Sequence, residues 1–196
     1  ATTKGGKHAI DFLTTYNRTE GSADPCSGAG FICSGATSTL PIPVDPNVTG
    51  AGVTPVPGVF TLFGGTFPAN ATSAYALAGP YSGDSDTSIS VSFVANAANA
   101  VLAWGGHIAS RADWGLDNSA AYISGSPYHM ALAGFACSNA SNCNVGAQDR
   151  SLKSAAIILP GKITVVKDAL PDGPTSFAFT ASPAPLANFV LVDNGT

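Results

Sequence analysis

Residues 87–95 read Thr-Ser-Ile-Ser-Val-Ser-Phe-Val-Ala, so Ile89, Val91 and Phe93 alternate with Ser88, Ser90 and Ser92. Successive side chains of a β-strand point to opposite faces. An apolar series of period two beside a polar one therefore marks a half-buried antiparallel strand. Runs at 8–16, 58–63, 100–104, 129–135, 154–159, 162–167, 176–180 and 188–192 read the same way with weaker alternation. Gly, Pro, Asn, Asp and Ser clusters separate them and serve as turn punctuation. No segment carries a 3.6-residue apolar stripe with caps. Residues 95–102 have the Ala content for a short helix, but their Asn residues and lack of charged pairs argue against it. The expected fold class is all-β, an antiparallel β-sandwich of jelly-roll or Ig-like type.

Composition removes several alternatives. The chain has 196 residues, with 8 Lys and Arg against 12 Asp and Glu. Eight scattered cations give no basic footprint for nucleic acid. A helical bundle would need far more Glu, Lys, Leu and Arg. With 45% apolar residues and a mean hydropathy of +0.23, the chain has enough apolar surface to escape disorder. No apolar run approaches the roughly 18 residues of a membrane helix, so no membrane insertion is expected. No signal peptide opens the sequence, which is read as mature or trimmed.

Residues 34–58 carry five prolines and few large side chains. Proline fixes φ and removes a ladder donor, so this segment is expected as an extended surface loop or edge segment. Pro160-Gly161 is the best domain boundary. A β-sandwich domain is expected over 1–160, and a new pattern begins over 161–196.

The four cysteines form two close pairs, Cys26 with Cys33 and Cys137 with Cys143. Neither pair has zinc-type spacing with histidine nearby, and both lie in small, polar, turn-like stretches. Two local disulfides are the preferred reading, which implies an oxidising, extracellular or periplasmic compartment. Sequons stand at Asn17, Asn47, Asn70, Asn139 and Asn194. They are candidates for glycosylation of a secreted surface, or a consequence of abundant Asn, Ser and Thr.

Candidate chemistry is sparse. Trp104, His107, Arg111, Asp113, Trp114, Tyr128 and His129 are the densest constellation. Two His and one Asp could serve as a metal set or acid–base pair, but they fit no helical ligand motif. Loop anchoring is preferred over catalysis, and the chain is expected not to be an enzyme. The rings of Trp104, Trp114 and Tyr128, with His107, Asp113 and His129, could instead form a glycan patch. Asp84 and Asp86 stand two apart in a Gly/Ser loop and could hold Ca²⁺, with a polar hairpin turn preferred. No other cofactor is indicated. No Gly-x-Ser-x-Gly elbow, phosphate loop or dinucleotide fingerprint occurs.

The last part of the chain has a distinct order of strands and turns. It runs Ile163-Thr-Val-Val-Lys-Asp168, Pro171-Asp-Gly-Pro174, Ser176-Phe-Ala-Phe-Thr180 and Asn188-Phe-Val-Leu-Val-Asp-Asn-Gly-Thr196. This resembles the opening half of a bacterial prealbumin-like domain, the Ig-related sandwich of Gram-positive pilin and adhesin B-type repeats. The family continues with a Leu-Pro-x-Gly-type turn and a Tyr-Thr-Val-type strand, absent here. In some such domains a first-strand lysine forms an isopeptide bond to an Asn of the last strand. Lys167 stands near that lysine position, and with the last strand absent no partner is named. The stretches 102–109, 113–115, 124–130 and 148–151 are similar to secreted bacterial surface proteins that carry such repeats. That resemblance implies location and architecture, and no chemistry.

Three strands expose two edges and bury no core alone. The segment is expected to be completed by missing sequence, by the first domain, or by a strand from another subunit. The preferred expectation is a cell-surface or filament subunit that self-associates by β-strand complementation. Residues 1–7, the proline-rich segment and the C-terminal strands would make the contacts. The alternative is a monomeric adhesin or carbohydrate-binding module cut from a longer surface protein.

Overall fold

The computed structural model describes residues 3–19, 21–28, 30–31, 33, 36–124, 128–138, 148–151, 165–168, 170, 173–182 and 187–192. The fold is all-β, with antiparallel pairing at every described ladder. The chain divides into two compact units, Ala1–Ile158 and Leu159–Thr196.

The first unit begins with β1 (Thr3–Lys4), β2 (Lys7–His8), β3 (Ile10–Thr14), β4 (Thr37–Pro41), helix α1 (Pro46–Gly50) and β5 (Val59–Phe63). It continues with β6 (Gly65–Thr66), β7 (Ala76–Ala78), β8 (Asp86–Ser88), β9 (Val94–Ala95), β10 (Val101–Ala103) and β11 (Gly105–Ile108). Helix α2 (Arg111–Asn118), a 3-10 turn (Ala120–Tyr122), β12 (His129–Leu132) and β13 (Gln148–Ser151) complete it. Among the described residues the strands make one three-stranded sheet, β10-β5-β4. The others are two-stranded: β1-β2, β11-β3, β12-β13, β6-β9, β7-β8 and, in the second unit, β14 (Ser176–Phe179) with β15 (Phe189–Val192).

The core sits on β3 and β5, where Ile10, Phe12, Phe60 and Leu62 are buried. β10 and β11 are separated only by Trp104. β10 pairs with β5 and β11 pairs with β3, so one nearly continuous strand spans both partners. The ladder of β11 with β3 contains a bulge: His107 faces Phe12 and Ile108 faces Ile10, leaving Asp11 as the extra residue. A bulge breaks the alternation of a strand. Here it allows Ile10, Asp11 and Phe12 to be buried in succession.

The proline-rich segment 34–58 is not a plain surface loop. Its first part is β4, an edge strand paired with β5 and ending at Pro41, where a missing N–H is tolerated. Asp45 then caps α1, accepting the backbone N–H of Asn47 at 2.9 Å. Pro46 opens the helix, where its fixed φ is pre-set and its absent N–H would be unpaired anyway. The helix exists to seat Val48, which is fully buried with Phe12 and Val53. Apolar burial at one position thus overrides a composition that reads as extended.

The N-terminal arm is likewise docked within its own chain. Thr3 exchanges backbone hydrogen bonds with Ser85 at 2.9 and 3.2 Å, and its hydroxyl donates to the Gly83 carbonyl. Lys4 pairs with Asp84 at the surface. Gly6, at φ +74°, approaches the Ser82 carbonyl so closely that a Cβ would lie 2.7 Å from its oxygen. Residues 3–7 are therefore not a free arm for a neighbouring subunit.

The strong alternation over 87–95 is realised in burial but not as one strand. Residues 87, 89, 91 and 93 are half-buried while Ser88, Ser90 and Ser92 are exposed. Yet only β8 and β9 form ladders, with an isolated bridge from Val91 to Thr72 between them. The facing segment contains Pro68 and Asn70, the latter at φ 57°, and such a backbone cannot run parallel to a regular partner. The expected absence of any capped helix is also corrected by α2. Ser110 accepts the Asp113 N–H at 3.2 Å and donates its hydroxyl to the Asp113 carboxylate at 2.6 Å. Gly115, at φ 76°, kinks the helix. The expected run at 154–159 and the first half of 162–167 lie outside the described residues, and residues 165–167 of the latter form no strand.

Candidate functional site

The bulge in β3 turns the Asp11 carboxylate into the first unit's interior, where it has no exposure. Three donors meet it. The His107 Nδ1 lies 2.8 Å from Oδ1, the Phe12 backbone N–H donates to Oδ1 at 3.0 Å, and the Trp114 indole N–H donates to Oδ2 at 2.9 Å. A carboxylate only accepts, so Nδ1 of His107 carries the proton. The three partners come from β3, β11 and α2, so one buried side chain ties three elements together.

Aromatic stacking surrounds this centre. His107 lies flat on Phe12 at 4.3 Å between ring centroids, 8° from parallel. His8 stacks on Trp114 at 3.4 Å, with Tyr81 tilted against both. Trp114 also packs against both buried apolar clusters, Phe12–Val48–Val53 and Ala9–Ala109–Ala120–Tyr128. The two imidazoles respond oppositely. The hydrogen bond that His107 donates to Asp11 raises it above the ordinary histidine value. Burial outweighs the more distant Asp11 charge at His8 and pushes it down to about 4. His8 is therefore neutral near pH 7, and its Nδ1 has no hydrogen-bond partner among the described residues.

Asp11, His107 and Asp113 place a ligand atom each within 4.8 Å of one another. Asp11 and His107 are, however, already joined by the hydrogen bonds described, and Asp113 is engaged by Ser110. A cation would have to displace that network. The second such set, Asp24 with Cys26 and Cys33, is closed by the Cys26–Cys33 disulfide, at 5.7 Å between Cα atoms. The Asp24 carboxylate braces that loop by accepting the Cys26 N–H. Asp84 and Asp86 form no set of this kind among the described residues. The Asp84 carboxylate accepts from Lys4 and from the Gly5 backbone.

The predicted ligand patch does not assemble. Only His107, Asp113 and Trp114 gather at Asp11. Tyr128 is 5% exposed and donates its hydroxyl to the Ala120 carbonyl, so it offers no ring to a sugar. His129 is at an exposed position of β12, paired with Asp149. Trp104 is half-buried in a separate groove of about 470 Å³, whose lining includes Val101, Leu102, Met130 and Leu132. Asp11, His8 and Tyr81, which complete the buried cluster, were missing from the sequence constellation. The Arg111 guanidinium lies over the Tyr122 ring at 5.4 Å.

Of the sequons, Asn17 and Asn70 are exposed, while Asn47 donates its side-chain amide to Asp45 at 3.0 Å. Asn139, Asn194 and Cys143 lie outside the described residues, and Cys137 is disulfide-bonded. In the second unit Lys167 Nζ sits 4.1 Å from the centroid of Phe177. Among the described residues no helix is long and apolar enough to cross a membrane. No protein-family model, curated protein or solved structure matches the chain.

Proposed function

We propose that the chain is an extracellular structural protein, a cell-surface or filament subunit whose copies assemble by β-strand complementation. The observation that carries this reading is the β14–β15 hairpin. Phe177, Phe189, Val190 and Val192 are 41%, 36%, 60% and 47% exposed on a sheet of two strands. A two-stranded sheet is marginal in water, and its open edges are templates for another strand. Nearby Val166 and Leu170 are exposed as well. The hairpin fits the opening half of a prealbumin-like sandwich that a neighbour completes. The Cys26–Cys33 disulfide accords with an oxidising compartment, and low surface charge suits a subunit that buries much of itself in neighbours.

The contacts fall to the C-terminal strands, because residues 3–7 are docked in their own unit. An Asp11 centre of satisfied hydrogen bonds and stacked rings serves as an internal brace in this reading. The glycan-binding alternative loses Tyr128 to the core. Negative-stain electron microscopy of the purified chain across a concentration series is the test. Regular fibres that survive mild detergent are expected for the wild type, and dispersed particles for Val190→Lys. A wild type that stays monomeric at millimolar concentration would overturn the proposal.

A further inference from the structure

The two ring nitrogens of His107 have different surroundings. Nδ1 is held at 2.8 Å by the Asp11 carboxylate, which has no exposure. Nε2 has no hydrogen-bond partner among the described residues and is reached by solvent, the side chain keeping 32% of its surface in water. The two cannot exchange roles. A flipped ring would turn a carbon toward Asp11, and Phe12, stacked 8° from parallel, fixes the ring plane. Metal-ligating histidines share this arrangement. One nitrogen donates to a carboxylate, which sets the tautomer and orientation and makes the other nitrogen a more basic ligand.

A second ligand stands beside it. Asp113 is exposed in the first turn of α2, and a carboxylate oxygen of it lies within 4.8 Å of a His107 ring nitrogen. Its Oδ2 accepts the Ser110 hydroxyl, which leaves lone pairs free on the carboxylate. Ligand atoms of one tetrahedral zinc ion lie about 3.3 Å apart, a separation that an exposed aspartate reaches by rotating its side chain. We infer that His107 Nε2 and the Asp113 carboxylate bind a divalent transition cation of the zinc type, with Asp11 as the buried carboxylate behind the imidazole. The inference is independent of the assembly reading. A cation seated among all three side chains would displace the hydrogen bonds of Asp11, whereas one on Nε2 leaves them in place. Imidazole beside carboxylate suits Zn²⁺ or Cu²⁺, while Ca²⁺ takes oxygen ligands alone. No described cysteine is a free thiol to compete for the ion. Two protein ligands leave the remaining tetrahedral positions to water, so the site is open. Asp11 and Asp113 favour positive charge at the ring and Arg18 opposes it. The ion must displace a proton from a ring that Asp11 makes more basic, so affinity should rise between about pH 6 and 8.

The test is calorimetric titration of Zn²⁺ into the full chain under non-reducing conditions at about pH 7.5. One equivalent is expected to bind the wild type, and Ca²⁺ in excess is expected not to compete. His107→Gln should lose that equivalent. Asp113→Asn, at an exposed position where the new amide can still accept from Ser110, should weaken it at least about tenfold. Asp11→Asn puts a neutral partner behind the same ring and should weaken it about 10–100-fold. The pair His129–Asp149 is a built-in control. Both of its side chains are exposed, so no buried carboxylate fixes that ring, and His129→Gln should leave the equivalent unchanged. Long-range ¹H–¹⁵N spectra of the imidazoles read the geometry: Zn²⁺ should shift Nε2 of His107 while Nδ1 keeps its proton.

A wild type that takes up no Zn²⁺ at millimolar concentration would overturn the inference. So would an equivalent that survives His107→Gln and disappears with His129→Gln. Zinc bound at Nδ1, with loss of its proton, would show that the ion breaks the Asp11 bond and would overturn the assignment to Nε2. Unchanged affinity in Asp11→Asn would remove Asp11 from the site. If His107→Gln or Asp11→Asn fails to give the wild-type circular dichroism spectrum, Asp113→Asn and the imidazole spectra of the wild type decide alone.

Discussion

The Asp11 carboxylate, wholly buried at a β-bulge, accepts the Nδ1–H of His107 at 2.8 Å across the strand pair. Its other oxygen accepts the Trp114 indole N–H. Removing the acceptor of a buried hydrogen-bond network costs more than the bonds themselves contribute, because the donors are stranded. Asp11→Ala takes the acceptor from two side-chain donors and is expected to destabilise the first unit by about 2–4 kcal/mol. Trp114→Phe keeps the ring on His8 and loses one donor, for about 1–3 kcal/mol. Urea unfolding followed by circular dichroism gives both numbers. A cost below about 1 kcal/mol for Asp11→Ala would mean that the carboxylate does not hold β3, β11 and α2 together.

The two histidines around this centre give stability opposite pH dependences. His8 is lowered from an ordinary 6.5 to about 4 in the folded chain. As pH falls below about 6.5 the unfolded chain binds a proton there that the folded chain refuses, so stability declines from about 6.5 down to about 4. Its share is on the order of 3 kcal/mol at the acid end of that window. His107 is raised, so its stabilisation is complete below 6.5 and is lost as pH rises through its folded value. Stability should therefore peak between those two limbs. His8→Phe, which keeps a stacking ring and removes the unpartnered Nδ1, should flatten the acid limb alone. His107→Gln should flatten the alkaline limb alone. The midpoints in urea at pH 4.5, 7 and 9 decide the matter, and parallel curves for His8→Phe and wild type would count against a neutral buried His8.

Why the sequence revealed the fold class but not this centre is a matter of what periodicity can carry. Alternation over 87–95 predicts which side chains turn inward, and they do. It cannot report that the facing segment, with Asn70 at positive φ, breaks the ladder. In residues 8–14 nothing marks Asp11 as the extra residue of a bulge, so it reads as an outward polar position of a strand. Trp104, Tyr128 and His129 are close along the chain and end in a groove, the core and an exposed hairpin, because topology separates what sequence groups. The helix α2 did have a signal, Ser110 three residues before Asp113, which fits a cap as well as a loop.

The proline-rich segment should behave as part of the core. Val48→Ala removes two methyl groups from a fully buried site and is expected to cost about 2 kcal/mol. Asp45→Ala removes the cap of α1 and should cost about 0.5–2 kcal/mol, with most of it recovered by Asn, which caps as well. Thermal unfolding of the three variants separates this from a surface loop, for which all three would melt with the wild type.

The Cys26–Cys33 bridge closes a loop of sequence separation 7, braced by Asp24, and neither cysteine belongs to a buried apolar cluster. Its contribution is the entropy that so short a loop removes from the unfolded chain, about 2.5 kcal/mol. The double variant Cys26→Ser, Cys33→Ser should unfold at lower urea with an unchanged dependence on denaturant, because the surface buried on folding is the same. The strands of β3, β5 and β11 should keep their amide protection, since they are held by Phe60, Leu62 and the Asp11 centre. Loss of protection across those strands would show that the loop is a structural element of the core and not a pinned edge.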